Sequence, residues 1–453
     1  MNVATIAALV RERAQLHAHD GWTRDEMLAH QARRLADLRA WASAKSPFYR
    51  ELHRGLDDSP LGALPIVTKA TLMHRFDDLV TDRDVRLADV ERFVATASAT
   101  DRFRDRYRVA ATGGTTGRRG VFLSDPHEWI QVLASYGRAY EWAGVAAGFT
   151  KRIRMAVISS RNPSHQSSIV GATVASRFVP TLRLDATESL EDIVAALNVF
   201  GPDALVGYAS MLRLLAEEQT AGRLKVVPRA VMSASEVLTA DTRERIEAAF
   251  GVRATNVYAS TETAGIASEC RLGHLHRYED LVIAEVVDED NRPVPDGELG
   301  ARLLVTVLFS RTQPLIRYEL SDRVAAAPGL PGDLPFALLR GIEGRQEDVL
   351  SLGGVAVHPN VFHAALERLP AAGWQVIDED GRVRVLLAGA AAVDVAATAA
   401  SVRRGLERVG AHDVSVMVDL VDAIPRTALG KAPLVRHVDP ASAPNESIME
   451  PRS

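Results

Sequence analysis

The stretch from Arg152 to Ser260 constrains the fold most, because short apolar runs alternate there with amphipathic ones. Ile153–Ser159, Pro180–Leu184, Ala204–Tyr208, Ala230–Ser233 and Ala254–Ala259 read as strands. Val170–Phe178, Leu190–Phe200, Met211–Ala221 and Ala240–Phe250 read as helices. Strands that alternate with helices argue for a parallel α/β sheet. Ligands of such sheets collect at the carboxyl ends of the strands. The polar stretches that follow these strands are therefore the first place to look for chemistry.

On the N-terminal side, Leu28, Ala32, Leu35, Leu38 and Ala42 have helical spacing, ended by Pro47. Thr68 is placed to cap a second helix. On the C-terminal side, Leu281–Val287 and Ala301–Thr306 flank the turn-rich Asp288–Gly300 and read as antiparallel structure. After Gly344 the texture changes. Val349–Leu352 and Val355–Val357 flank Gly353-Gly354 as a hairpin, and Trp374–Ile377 and Val383–Leu387 form a second one. Helices at Val361–Leu369 and Val393–Val409 and a strand at Val414–Leu420 complete a small α+β unit. The expected organisation is a large domain over residues 1–344, a small mobile α+β domain over 345–440, and a flexible tail over 441–453.

Composition removes several classes. A chain of 453 residues suits two to four domains. The net charge of −5 lacks the basic surplus that a nucleic-acid partner needs. Cys270 is the only cysteine, so no internal disulfide can form, and a reducing cytoplasm fits best. No run reads as a membrane span. Arg11 and Arg13 cut Val3–Val10 short, so no secretory leader is read.

Five motifs could carry chemistry. Thr112-Gly113-Gly114-Thr115-Thr116-Gly117-Arg118-Arg119-Gly120 can present backbone N–H groups and hydroxyls to an anion, although a Gly-rich surface turn has the same composition. Asn256-Val257-Tyr258-Ala259-Ser260-Thr261-Glu262 follows a strand; a Tyr can stack on a base and a carboxylate can hold a divalent cation, yet Thr261 could simply cap a helix. Pro314 to Asp322 ends on an Asp able to bind a ribose diol or to cap a turn. Gly344-Arg345-Gln346-Glu347-Asp348 lies at the composition shift, and Pro425-Arg426-Thr427-Ala428-Leu429-Gly430-Lys431 places a Lys in a Pro/Gly-rich loop.

In this order the five motifs resemble the set found in adenylate-forming enzymes, the superfamily of acyl-CoA synthetases, adenylation domains and luciferases. Ser46-Pro47-Phe48-Tyr49-Arg50, Leu64 to Lys69, Glu269-Cys270 through Asp280, and Pro295 to Gly300 are more narrowly similar to the phenylacetate–CoA ligase and coenzyme F390 synthetase branch. The resemblance spans about Leu28 to Val435. It implies ATP-dependent conversion of a carboxylic acid, aryl or arylacetic, to acyl-AMP and pyrophosphate. Acyl transfer to CoA would follow, or, as alternatives, transfer to an amine, or a relative that binds ATP without turnover. Thr112, Gly113, Gly114, Thr115, Thr116 and Gly117 are implied to cradle phosphates, Glu262 to hold Mg²⁺, and Thr261 to meet the α-phosphate. Tyr258 is implied to stack on adenine, Asn256, Ser235 and Glu236 to line the base, and Asp322 and Arg345 to bind the ribose. Glu347 occupies the hinge position, and Lys431 is implied to bridge the acid and the α-phosphate. A homodimer is implied as well.

The sequence departs from the pattern at Arg118, where a Lys is usual, and at Glu319-Leu320-Ser321, where Arg-Thr-Gly is typical. His165, Tyr208 and Ala209, after strand ends, are candidates for the acid pocket, with an ordinary loop histidine an equal reading of His165. Cys270, His274 and His276 have zinc-ligand chemistry, weighed against two ordinary histidines beside a buried thiol, because zinc wants four ligands.

Overall fold

The computed structural model describes residues 3–112, 120–145, 152–176, 178–320, 322–328, 334–345, 350–357, 360–366, 369–371, 373–379, 381–390, 392–426 and 432–437. The chain divides into two compact units, one over Met1–Gly344 and Ala428–Lys431 and one over Arg345–Thr427 and Ala432–Ser453.

The larger unit opens with helices α1 (Val3–His19), α2 (Arg24–Lys45) and α3 (Pro47–Leu52), then α4 (Lys69–His74), α5 (Phe76–Leu79) and α6 (Leu87–Thr96). Thr23 and Glu26 form a reciprocal capping box on α2, and the Thr68 hydroxyl accepts from the Thr71 N–H at 3.2 Å at the head of α4. Strands β1 (Arg108–Ala111) and β2 (Val121–Ser124) form an antiparallel pair, followed by α7 (Pro126–Trp142), which carries its own capping box from Asp125 and Glu128.

The alternating stretch then builds β3 (Met155–Ser159), α8 (Gln166–Val174), β4 (Thr181–Asp185), α9 (Leu190–Phe200), β5 (Ala204–Gly207), α10 (Ala209–Thr220), β6 (Ala230–Ala234), α11 (Ala240–Phe250) and β7 (Ala254–Ser260). Helices α9 and α11 sit where the sequence reads them. Ser189 and Thr239 cap their starts, and Gly201 and Gly251 end them in the left-handed region. Helix α8 begins four residues earlier than the sequence suggests.

Strands β3 to β7 pair in parallel in the order β4-β3-β5-β6-β7. The sheet continues antiparallel into β8 (Ala264–Glu269) and β9 (Leu275–Arg277), and then through β14 (Leu338–Arg345) to β13 (Asp322–Ala327), making nine strands. A separate three-stranded sheet joins β10 (Val282–Val287), β11 (Arg302–Val307) and β12 (Tyr318–Leu320). The antiparallel reading of β10 and β11 therefore holds. The helix that Thr261 could have capped does not form: the chain turns back on itself and enters β8.

In chain order the parallel strands run outward in two directions, β3 to β4 one way and β5 to β7 the other. The switch point between β3 and β5 is where open α/β sheets leave a crevice at their carboxyl edge. It sets the place of the site. One apolar layer on this sheet contains Ile158, Leu205, Val231, Leu212 and Ile246; another contains Ala139, Ala204, Ala230, Met232 and Val257.

The smaller unit holds the hairpin β15 (Leu350–Leu352) and β16 (Val355–Val357), helices α12 (Asn360–Leu366) and α13 (Val395–Arg408), and a four-stranded sheet. That sheet orders β19 (Val416–Val421), β18 (Arg382–Ala388), β17 (Gly373–Glu379) and β20 (Val435–His437). Its core is built on Phe362, Trp374, Val402 and Leu406.

Candidate active site

Two turns at the carboxyl ends of parallel strands, and one that leads into the antiparallel sheet, leave ordinary backbone geometry. Ser235 after β6, Ala264 after β7 and Arg317 before β12 have φ of +68°, +62° and +49°. Non-glycine residues in this region cost of order 1–3 kcal/mol each and persist only where surrounding structure over-determines them. At the β7 end the determinants are visible. Ser260 Oγ accepts from the Thr263 N–H at 3.2 Å, closing the tight turn that contains Thr261 and Glu262. A register shift between Tyr258 and Ala259 against β8 adds the bulge that re-aims side chains beside functional sites.

Glu262 is half-buried, and Tyr318 Oη donates to its Oε1 at 3.3 Å. Tyr318 is itself fixed by its neighbour. The Arg317 guanidinium, 3 % exposed, donates to the carbonyls of Gly62 and Leu64 at 2.7 Å each and pairs with Glu285 at 3.2 Å. A small cavity of about 20 Å³ lies beside Glu262, lined in part by Arg108, Gln166, Thr261 and Phe309. It has room for one water, not for a nucleotide.

The other sequence-predicted residues fall around the same edge. Thr112 marks where the anion loop leaves β1; its Oγ1 accepts from the Gly120 N–H at 2.9 Å. Ser233, fully buried in β6, stands in register with Gly207 of β5 and Asn256 of β7. The Asn256 N–H is held by Glu269 at 2.9 Å, and Glu269 is gripped in a two-pronged pair by Arg243 at 2.8 Å. Glu236 accepts from the Ser210 N–H at 2.9 Å, so its carboxylate sits at the positive end of α10. Tyr258 is buried in β7, Ser235 is exposed, and Asp322 opens β13 half-buried.

Across the switch point, Tyr208 Oη accepts from the Ser160 N–H at 2.9 Å. His165 directly precedes α8, its N–H bonded to the Asn162 carbonyl at 3.0 Å. Ala209 is buried in the apolar layer under α10. Gly113, Gly114, Thr115, Thr116, Gly117, Glu347 and Lys431 lie outside the described residues, and so does the side chain of Arg345.

Cys270, His274 and His276 come together: their ligand atoms all lie within 4.8 Å of one another. The Cys270 N–H donates to the His274 carbonyl at 3.0 Å, which closes the turn between β8 and β9. The thiol and imidazole donors suit zinc. Among the described residues no fourth His, Cys, Asp or Glu joins the three.

Two side chains at this edge carried no signal in the sequence beyond their place in a motif or loop, Tyr318 and Gln166. Neither has a composition or spacing that marks it; only the folded contacts do.

A strained turn carrying a hydroxyl and a carboxylate thus follows β7 at the carboxyl edge of the parallel strands, and Gln166, after β3, donates to the Thr261 carbonyl at 3.3 Å. The model of the AMP-binding enzyme family matches residues 67–305, more than half of the chain. The chain belongs to this family and thus to the adenylate-forming superfamily. It is 27 % identical over 375 residues to a phenylacetate-coenzyme A ligase of Thermus thermophilus, covering 77 % of this chain and 76 % of that one. It is 23 % identical over 351 residues to protein CapK of Staphylococcus aureus, covering 74 % and 72 %. Among solved structures, 2-hydroxyisobutyryl-CoA ligase in the postadenylation state, in complex with R3-HIB-AMP, superposes with a TM-score of 0.69 at 20 % identity, covering 91 % of this chain and 89 % of that one. The same ligase with 2-HIB-AMP and CoA gives a TM-score of 0.56 at 19 % identity, covering 92 % and 91 %. These likenesses show the fold. Among the described residues no helix is long and apolar enough to cross a membrane.

Proposed function

We propose that the protein activates a carboxylic acid with ATP and passes the acyl group to CoA. The observation that carries the reading is the Thr261–Glu262 turn at the carboxyl end of β7, with Tyr318 on its carboxylate. The match to a phenylacetate-coenzyme A ligase over three quarters of both chains supports an aryl or arylacetic acid and a thiol acceptor.

In the first step a carboxylate oxygen of the acid bonds to the α-phosphorus of ATP. The bond from that phosphorus to the bridging oxygen breaks, and pyrophosphate leaves with the electron pair. Two anions must meet, so catalysis rests on positioned cations and donors. Thr112 and the following glycines cradle the outer phosphates, and Thr261 meets the α-phosphate. The Glu262 carboxylate is the hard oxygen donor that Mg²⁺ takes, and the ion would neutralise phosphate charge there. Tyr258 stacks on the base, with Asn256, Ser235 and Glu236 at its edge, and Asp322 and Arg345 hold the ribose. Lys431 meets both the acid and the α-phosphate. In the second step a thiolate adds to the acyl carbonyl and AMP leaves. Rotation of the smaller unit about Glu347 would bring in the second set of groups.

The test is pyrophosphate release from ATP·Mg²⁺ against a panel of aryl, arylacetic and short hydroxylated acids, followed by thioester analysis with CoA. Amide formation when an amine replaces CoA, with no thioester, would move the acceptor from thiol to amine. No release with any acid would overturn the reading.

A further inference from the structure

Gln166 opens α8 on the β3 side of the switch point and is only 7 % exposed. Its amide joins two elements that the chain does not. Nε2 donates to the main-chain carbonyl of Thr261 at 3.3 Å, and Oε1 accepts from the Tyr136 hydroxyl of α7 at 2.9 Å. A main-chain carbonyl only accepts, so the amide nitrogen must face Thr261 and the oxygen must face Tyr136. Burial pushes the Tyr136 phenol up from its ordinary range, so it remains a proton donor.

The peptide plane that this bond holds is the one between Thr261 and Glu262. That plane is set by ψ of Thr261 and φ of Glu262, so holding it fixes the backbone from which both side chains depart. Packing alone does not fix it, because the cavity of about 20 Å³ lined by Gln166, Thr261 and Glu262 leaves room for a shift. We propose that Gln166 is a positioning residue for acid adenylation, fixing the Thr261–Glu262 peptide plane through its amide while Tyr136 locks the amide itself. The inference rests on the adenylation reading above. It gives α8, whose preceding residues lie on the acid side of the crevice, a direct mechanical link to the groups assigned to phosphate and Mg²⁺.

The experiment measures acid-dependent pyrophosphate release by the full chain and by three variants. Gln166→Glu keeps length and the acceptor for Tyr136, and as a carboxylate has no donor for Thr261. Gln166→Met keeps length and loses both bonds. Tyr136→Phe loses only the outer bond. Loss of one hydrogen bond to a half-buried carbonyl, felt through the groups that it positions, is worth about tenfold in rate. Both Gln166 variants should lose about tenfold in kcat and need more Mg²⁺ for half-maximal rate, while melting within a few degrees of wild type. Tyr136→Phe should lose less, and adding it to Gln166→Met should cost nothing further, because one chain of bonds has already been cut. If Gln166→Met does not fold, Gln166→Glu answers the same question with the polar core kept.

Wild-type kcat and Mg²⁺ half-saturation in a folded Gln166 variant would overturn the inference and leave the adenylation reading standing. Loss of rate only in proportion to the unfolded fraction would overturn it too. A wild-type chain that releases no pyrophosphate with any acid would overturn both.

Discussion

Arg138 is 2 % and Asp280 0 % exposed, and the two form a two-pronged pair at 2.7 and 2.6 Å. The pair is the knot that ties the N-terminal helices to the core. Arg138 also donates to the Leu16 carbonyl at 3.0 Å, His19 Nδ1 lies 2.6 Å from Asp280, and Arg24 grips Glu279 next door. Arg138→Met keeps most of the volume and strands a buried carboxylate. Removing one partner of a buried pair costs about 3–5 kcal/mol. Contacts of the guanidinium with Trp142, Tyr278 and Phe336, at 5.0–5.3 Å, are lost as well, which argues against the bottom of that range. His19 remains beside Asp280 and argues against the top. A loss of about 4 kcal/mol, at roughly 2 °C per kcal/mol for a unit of this size, is a fall of about 8 °C in melting temperature. The assay is equilibrium urea unfolding, with melting as a second readout. Arg138→Met with Asp280→Asn should recover more than half of the loss, since no charge is then stranded. The pH sign is a further check. Burial would push the Asp280 carboxyl up, yet Arg138, with His19, holds it well below the usual carboxylate range. Its contribution is thus present above the unfolded pKa and lost as pH falls through the folded one. Without Arg138 burial wins and the carboxyl is raised, so the gap between variant and wild type should widen as pH rises from about 4 to about 7. A double variant as unstable as the sum of its singles would refute the coupling.

Glu262→Gln should lose Mg²⁺-dependent pyrophosphate release by on the order of 10²-fold or more with the melting temperature unchanged, checked by a Mg²⁺ titration of rate. Asp322→Ala should raise the ATP KM more than it lowers kcat, because a ribose contact is made alike in ground and transition states; an unchanged KM with reduced turnover gives Asp322 another role. Burial, with Arg39 beside it, holds the His53 imidazole down at about 4. The folded state therefore binds its proton later than the unfolded chain does. Stability should fall as pH drops from about 6.5 to about 4, and His53→Gln should flatten that limb of the urea-midpoint profile.

The sequence carried the parallel half of the fold because that half is punctuated. Ser189 and Gly201 bracket α9, Thr239 and Gly251 bracket α11, and the apolar runs between are short enough to be strands. Helix α8 was displaced because no side chain caps it: His165 precedes it with no cap bond, so its start has no local signal. Strand β8 was hidden for a different reason. Thr261, Glu262 and Thr263 have the composition of a helix start, and the Ser260–Thr263 bond with the positive φ of Ala264 sends the chain back along β7 instead. At the site, the residues that touch ligand in the proposed chemistry were legible as motifs, since their chemistry requires particular side-chain types. Those that hold them were not. Tyr318 reaches Glu262 across 56 residues of sequence and Gln166 reaches Thr261 across 95, and no local pattern encodes such a meeting. Cys270, His274 and His276 show the same limit: their spacing looked tight, and the turn between β8 and β9 is what draws their ligand atoms together.

The central claim is that an acyl-adenylate forms before any acceptor is present. It is tested most directly by exchange of labelled pyrophosphate into ATP, with acid and Mg²⁺ but without CoA or amine. The account predicts exchange that depends on the acid, and its loss by on the order of 10²-fold or more in Lys431→Ala, whose ammonium would relieve the repulsion between carboxylate and α-phosphate. Exchange that proceeds equally without acid, or none with any acid across the panel, would contradict it.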